Sequence, residues 1–376
     1  LPDVETLAQA MHISVGELRF LAYARRTSTL THYQRFKLPK KTGGERLISA
    51  PMPRLKRAQR WILDNILNQV EVHEAAHGFR AGRSIVTNAR PHIQADVVVN
   101  LDLQDFFPTV TYRRIKGVFR QFGYSEAIAT LLALLCSDPE TDTVLLDGKT
   151  YHVAQGERFL PQGAPTSPAI TNIICRGLDT LLTGLAKSLG FIYTRYADDL
   201  TYSGGEEVKE NVGRLLRRTK FIVADENFRV HPKKTRIFRK GRRQEVTGLV
   251  VNERVNVSRK TLRNFRATLF QIERDGPAGK RWGSGGNVME AIEGFANFVA
   301  MVDPPKGKMF QQQIARIIEL HGRGTSPRIQ RERWQDAAPA SSTDDEVMVI
   351  DDPIVTAEVV DPQPPAKDEP QKPWWK

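Results

Sequence analysis

Three carboxylates stand where their spacing allows chemistry. Tyr196-Ala197-Asp198-Asp199 places two aspartates side by side between two strand-like runs, Phe191-Ile-Tyr-Thr-Arg195 and Leu200-Thr-Tyr-Ser203. Upstream, Asp102 ends the apolar run Val97-Val-Val-Asn-Leu101. A strand carrying one aspartate and a tight hairpin carrying two can bring all three together. Two like charges ~4 Å apart repel by roughly 4 kcal/mol at an effective dielectric of about 20, so one of them would protonate without a counterion. Magnesium removes that penalty, because it binds through carboxylates and substrate phosphates. Two Mg2+ ions in such a site activate a primer hydroxyl and stabilise departing pyrophosphate, which is the chemistry of nucleotide polymerisation. The plain alternative is an Asp-rich hairpin turn, so the surroundings must decide.

The elements that would position these groups read as α+β. Residues 97–103 alternate: Val97, Val99, Leu101 and Leu103 face one way, Val98, Asn100 and Asp102 the other. Residues 3–25 read as helix-turn-helix, more simply a packing unit than a DNA reader. A strand pair is expected over 33–50 and a helix over 54–70. Further helices are expected at 111–122, 125–136, 168–189 and 206–220. A hairpin is expected over 138–159 around Asp147-Gly148, and strands near 229–239 and 245–257. Residues 258–322 read as all-helical, with Leu262, Phe265, Leu269 and Ile272 as an apolar stripe flanked by Arg259, Lys260, Arg263 and Arg266.

Charge narrows the partner. The 376-residue chain carries +12, yet residues 336–376 hold ten acidic and three basic side chains, leaving +19 on residues 1–335. A body this basic expects a polyanion, most simply nucleic acid. The Pro-, Asp- and Glu-rich end cannot bury enough apolar surface to offset ordering entropy and is expected to be disordered. Cys136 and Cys175 lie in apolar surroundings and form neither a disulfide framework nor a zinc spacing, as in a reducing cytoplasm. No apolar run approaches a membrane span and no secretory signal is visible. The opening Leu1 is what a start-truncated sequence would show.

Asn100-Leu-Asp-Leu-Gln-Asp-Phe-Phe-Pro108, Leu160-Pro-Gln-Gly-Ala-Pro-Thr-Ser-Pro168 and Tyr196-Ala-Asp-Asp199 follow one another in the order and spacing of motifs A, B and C of reverse transcriptases, which they closely resemble. The resemblance implies a right-hand polymerase with fingers, an antiparallel palm sheet and a helical thumb. Residues 1–257 would form N-terminal helices with interleaved fingers and palm, 258–325 the thumb, and 326–376 an acidic tail. It gives Asp102, Asp198 and Asp199 the catalytic and metal roles and leaves Asp105 to a turn. Phe107 would crowd the sugar 2′ carbon and reject ribonucleotides, unless it is simply a core ring. Gln162 would line the nucleotide sugar, and Gly163 would let the backbone come close. Arg46, with Lys40 or Lys41, would grip the triphosphate; the guanidinium fork matches phosphate oxygens. Lys233 or Lys234 would protonate pyrophosphate or bind template phosphate.

Two further stretches resemble elements of bacterial retron reverse transcriptases: Asn88-Ala-Arg-Pro-His92, and Val246-Thr247-Gly248. Such enzymes recognise their own structured noncoding RNA, prime from an RNA 2′-OH and make branched RNA-linked msDNA. The resemblance therefore implies dNTPs, the cognate RNA and msDNA as partners, a bacterial cytoplasmic location, and an antiphage role with an effector protein encoded nearby. Asn88, His92, Val246, Thr247 and Gly248 become candidate RNA-binding residues, with Arg263 and Arg266 of the basic stripe along duplex phosphates. A cap and a satisfied core histidine are the plainer readings of Asn88 and His92. The rivals are a group II intron-type reverse transcriptase, which would carry a further domain after the thumb, and an idle RNA-binding scaffold. The intact aspartates and Gln162 argue against the scaffold.

Overall fold

The computed structural model describes residues 3–23, 25–39, 44–283 and 286–323. The expected tail over 326–376 lies outside the described residues, as do Lys40 and Lys41.

The chain opens with α1 (Val4–Ala10) and α2 (Val15–Ala22), then β1 (Thr27–Ser28). The hairpin β2 (Tyr33–Pro39) and β3 (Glu45–Pro51) leads into α3 (Pro53–Asn65) and the short α4 (Ile85–Ala89). Next come β4 (Val97–Asp102), α5 (Tyr112–Gln121), α6 (Glu126–Leu135), and the hairpin β5 (Asp138–Leu146) and β6 (Lys149–Phe159). Helices α7 (Ser167–Ile174) and α8 (Arg176–Ser188) precede a second hairpin, β7 (Ile192–Tyr196) and β8 (Asp199–Gly204). Then follow α9 (Val212–Asp225), β9 (Arg236–Arg239), β10 (Glu245–Val246) and β11 (Leu249–Val250). Three helices close the described part: α10 (Arg259–Asp275), α11 (Val288–Val302) and α12 (Pro304–His321).

Local chemistry fixes the starts of these elements. Asp3 accepts from the Thr6 backbone N–H at 2.7 Å and Ser14 from that of Glu17 at 3.0 Å, giving partners to helix amides that otherwise have none. Asp147 and Gly148 both have positive φ, 49° and 73°, as the two central residues of a type I′ hairpin turn require. In α1 and α2, Leu7, Leu18 and Leu21 are buried in the main core, so this pair is a packing unit.

The central sheet has the order β7-β8-β4-β9, and all of its pairings are antiparallel. Alternation along β4 suggests one covered face, but both faces are covered. Val97, Val99, Leu101 and Leu103 enter a core shared with α1–α3 and α5–α9. Val98 enters a second core with Val246, Leu249, Leu262, Phe265, Ile292 and Phe310. A strand buried on both sides reads as a continuous apolar run, which is why Val97-Val98-Val99 stand together. The second core takes in Val86, Ala89 and Val98, so packing does not divide at residue 258.

Several expectations are corrected. The helix expected over 168–189 breaks at Cys175 into α7 and α8. The helix expected over 54–70 stops at Asn65 and is followed by a 3₁₀ turn, Leu67–Gln69. Residues 206–211 form a 3₁₀ turn before α9, which extends to Asp225. Of the strands expected over 229–239 and 245–257, only β9, β10 and β11 make ladders. Pro232 has no N–H to donate, and Asn252 turns its side chain back onto the Gln244 N–H and the Arg242 carbonyl.

Candidate functional site

Register brings the aspartates together. β4 and β8 run antiparallel with Asp102 directly opposite Asp199. Tyr196 pairs with Asp199, so Ala197 and Asp198 form a two-residue turn between β7 and β8. Ala197 has φ +56° while Asp198 does not share the positive φ, the pattern of a type II′ turn at which glycine is the usual first residue. Two backbone bonds tie this end of the sheet: the Leu103 N–H donates to the Asp198 carbonyl at 2.9 Å and the His231 N–H to the Asp102 carbonyl at 2.7 Å.

Burial, and then the charges of Asp198 and Asp102, push Asp199 up to about 7. Asp198 is also raised, by burial first and by Asp102; its own backbone N–H, Lys234 and Arg46 oppose the shift. Hard oxygen donors crowded this way are what Mg2+ relieves, so the donor set fits that ion. Among the described residues no group of three or more acidic, histidine or cysteine side chains is drawn up as a ready metal cluster. Asp102 instead faces an ammonium: Lys234 Nζ lies 3.0 Å from both of its carboxylate oxygens. Of the two lysines weighed, Lys234 is thus the one at the carboxylates. The backbone N–H of Lys233 donates to His231 Nδ1 at 3.2 Å.

Arg46 sits on β3, exposed, and its charge reaches Asp198. β3 is fastened to the loop bearing Gln162 and Gly163, since the Ser49 N–H donates to the Gln162 carbonyl at 2.8 Å. Gly163 has φ +127°, and a Cβ there would lie 2.9 Å from the Ser49 carbonyl oxygen, so no side chain fits. Phe107 is half-buried, its ring centroid 5.5 Å from that of Phe106 and 6.3 Å from that of Phe79.

A buried bracket supports the turn and was not foreseen. Arg195, fully buried, donates from Nε to Asp179 Oδ1 at 2.8 Å and from Nη2 to Asp179 Oδ2 at 2.7 Å. Its Nη1 donates to Asn172 Oδ1 at 3.0 Å and to the Ala197 carbonyl at 3.1 Å. Tyr193 Oη adds a bond to Asp179 at 2.9 Å, and Asn172 Nδ2 donates onward to the Gly78 carbonyl at 2.9 Å. Gly78 lies so close to the turn that a Cβ would stand 2.5 Å from the Ala197 nitrogen. The available signal was an arginine ending an otherwise apolar strand run directly before the aspartate turn.

The candidate RNA-binding residues divide. His92 is fully buried, with Nδ1 2.6 Å from Ser203 Oγ and Nε2 2.7 Å from Thr194 Oγ1, and burial pushes its pKa down to about 3. It clasps β7 to β8 with no face of the ring open, the surroundings of a satisfied core histidine. Asn88 is also fully buried; its amide atoms make no hydrogen bond among the described residues. Val246 is buried too. Thr247 and Gly248, at φ +46° and +80°, form the turn between β10 and β11, and α4 packs on that hairpin. The Asn-Ala-x-x-His and Val-Thr-Gly elements therefore meet as one unit; of the candidate residues in it only Thr247 and Gly248 reach the surface, where Arg90 and Pro91 are also exposed. Arg263 and Arg266 are exposed on α10 and line a cleft of about 800 Å³ with Arg254, Arg259 and Lys260.

Residues 38–257 match the family described as reverse transcriptase (RNA-dependent DNA polymerase). Retron Mx162 reverse transcriptase of Myxococcus xanthus is 47% identical over 331 residues, 84% of this chain and 67% of that one. Retron Mx65 reverse transcriptase of the same organism is 44% identical, over 72% of this chain and 63% of that one. Retron Ec86 reverse transcriptase of Escherichia coli is 32% identical, over 85% of this chain and 91% of that one. This chain thus spans about two thirds of the length of the two Myxococcus relatives. Among solved structures, telomerase from Candida albicans aligns at 11% identity with a TM-score of 0.45, covering 77% of this chain and 57% of that one. The order of the motifs, the aspartates in register and these relatives agree: the chain belongs to the reverse transcriptases, the RNA-dependent DNA polymerases, and among them to those of retrons.

Proposed function

We propose that this chain copies its own structured noncoding RNA into DNA, starting from an RNA 2′-OH and leaving a branched RNA-linked msDNA. The observation that carries the reading is the pairing of Asp102 with Asp199 beside the braced Ala197-Asp198 turn. On this reading the four-stranded sheet is the palm, β2–β3 belongs to the fingers and α10–α12 form the thumb.

Asp102, Asp198 and Asp199 would hold two Mg2+ ions, which when bound supply a lowered hydroxyl pKa and charge neutralisation on the phosphates. Arg46 grips the triphosphate, with Lys41 as its expected neighbour. The Phe107 ring bears on the sugar 2′ position and selects deoxynucleotides, while Gln162 and Gly163 shape the sugar pocket. Lys234, already at Asp102, is placed to deliver a proton to the departing pyrophosphate, a role first open to Lys233 as well. Thr247, Gly248, Arg263 and Arg266 are the accessible positions left for the cognate RNA. Recognition by shape and 2′-OH contacts suits so basic a body.

The partners that follow are the RNA, dNTPs, the msDNA product and an effector protein encoded alongside, acting in antiphage defence in the bacterial cytoplasm. No helix among the described residues is long and apolar enough to cross a membrane. The test is to purify the protein with its nucleic acid and treat the product with RNase or DNase. A short DNA covalently joined to RNA is expected. RNA alone, with no synthesis when dNTPs and Mg2+ are added, overturns the reading.

A further inference from the structure

The hairpin β5–β6 carries apolar groups that nothing among the described residues covers. Val144, Leu145 and Leu146 stand consecutively near its tip, 47%, 72% and 58% exposed, and belong to neither hydrophobic core. The base of the hairpin is held firmly: Arg35 Nη2 donates to Asp138 at 2.5 Å, and Arg158 Nη2 to the Ser137 carbonyl at 2.7 Å. Further out, β1 pairs with β6 only at His152 and Val153, so the rest is a two-stranded ribbon, which is marginal in water by itself. β5 is the free edge of the sheet β1-β6-β5. Natural edges are blunted by proline, lysine or a bulge. Here Pro139 and a bulge sit at the base, and residues 140–146 have none of the three.

The register says which backbone groups are open. Leu146 pairs with Lys149 across a two-residue turn, so the two exchange hydrogen bonds, and bonding pairs recur at every second residue. Asp142, Val144 and Leu146 thus bond inward to β6, while Thr141, Thr143 and Leu145 direct N–H and C=O outward. The Ala154 N–H agrees: it faces away from its β5 neighbour Thr141 and donates to the Arg26 carbonyl at 2.8 Å. Residues 138–159 hold five acidic and two basic side chains in an otherwise basic body, so this edge repels nucleic acid and suits a protein strand.

We propose that the edge is taken by β5 of a second copy of this chain, antiparallel about a two-fold axis through Thr143. Thr143 then faces its own counterpart, and Thr141 faces Leu145 of the second copy. All the outward pairs exchange bonds, about six in all, and the contact is closed by its own symmetry. Asp142 falls opposite Val144 and Glu140 opposite Leu146, so no carboxylate directly opposes a carboxylate. Directly opposed residues share a face of the sheet. Leu145 of the second copy therefore arrives on the Thr141 face, at a hollow lined by Thr141, His152, Ala154 and Leu30. The exposed leucine and the hollow are two halves of one contact, made twice. The proposal does not rest on the polymerase reading.

The test is sedimentation equilibrium of the full chain, freed of nucleic acid by nuclease and high salt. A contact of this extent lies at the small end of specific interfaces, so a dimer with Kd in the micromolar range is expected. Thr143→Pro removes the outward N–H without touching the β6 ladder, and Leu145→Lys blunts the edge. Each should raise the dimer Kd about ten-fold or more and leave thermal unfolding unchanged. Register is read by cross-linking. Thr143→Cys should form a covalent dimer on mild oxidation, since paired Cα atoms lie about 5.5 Å apart, within reach of a disulfide. Glu140→Cys, roughly 20 Å from its own counterpart, should not. Cys136 and Cys175 are buried and do not compete. A chain that stays monomeric at about 100 µM overturns the proposal. So does a dimer that survives Leu145→Lys, equal cross-linking at positions 140 and 143, or association that appears only when RNA is added. Should Thr143→Pro unfold, Leu145→Lys and the cross-links decide.

Discussion

The hairpin β7–β8 is gripped twice by buried polar side chains, and the two grips differ in kind. At the aspartate end, Arg195 pairs with Asp179 and reaches the Ala197 carbonyl, a charged bracket at the edge of the site. Further back, His92 bonds Thr194 and Ser203 as a neutral ring. A buried guanidinium must keep its carboxylate, because removal of either partner leaves a bare charge. A neutral imidazole with two hydroxyl partners is satisfied at lower stakes. The bracket that carries charge is the one nearest the carboxylates, where geometry has to withstand their mutual repulsion.

The largest expected effect breaks neither grip but removes what they position. Asp198→Asn and Asp199→Asn should each cut DNA synthesis by roughly a thousand-fold or more, a loss of about 4 kcal/mol of transition-state stabilisation, with RNA binding retained in a filter or gel assay. Full synthesis by both variants would end the metal assignment. Next, Arg195→Met should destabilise the fold by about 3–5 kcal/mol, measured by urea unfolding, because Asp179 is left buried and alone. Asn172→Ala, which keeps that pair, should cost about 1–2 kcal/mol and raise the Mg2+ concentration needed for half-maximal rate. A normal Mg2+ requirement would show that the bracket does not position the turn.

The neutral grip makes a pH prediction. The folded-state pKa of His92 is depressed to about 3 from the ordinary 6.5. Between those values the unfolded chain takes up a proton that the folded chain refuses, so stability falls as pH is lowered through that window. The slope is about 1.4 kcal/mol per pH unit for this group. His77, lowered to about 4 by burial and then by Arg83 and Arg80, acts in the same direction. His92→Gln should flatten the acid limb of the stability curve relative to wild type; an unchanged limb would mean that the ring is not buried. The same variant should impair synthesis on the cognate RNA and on a generic primer–template to the same degree, since the ring is fully buried. The smallest effect is expected of Arg263→Ala or Arg266→Ala: duplex binding weakened a few-fold, with the slope of log affinity against log salt reduced by about 1 each.

Much of the site was legible because it rests on local rules. The strand ending at Asp102 and the hairpin turn at Ala197-Asp198 follow from residue type and order, and the two meet in register. What escaped depends on contacts between distant segments. Asp179 and Asn172 reach Arg195 only once α7 and α8 pack against β7. Whether Lys233 or Lys234 faces Asp102 turns on a bend after Pro232 that alternation cannot count through. His92 and Asn88 became candidate RNA contacts through the family resemblance of their element; their burial depends on packing between distant segments that spacing does not show. Val97-Val98-Val99 hid its second covered face because α10–α12, which cover it, come more than 150 residues later.

That double covering of β4 has a mechanical consequence. To slide along its axis, the strand would have to exchange side chains in two separate interiors at once, so Asp102 is the fixed reference point of the site. Any adjustment during a catalytic cycle has to come from the parts around it: the turn at Ala197, the loop carrying Lys234, and the arm of β2–β3 that Gly163 keeps pinned at Ser49.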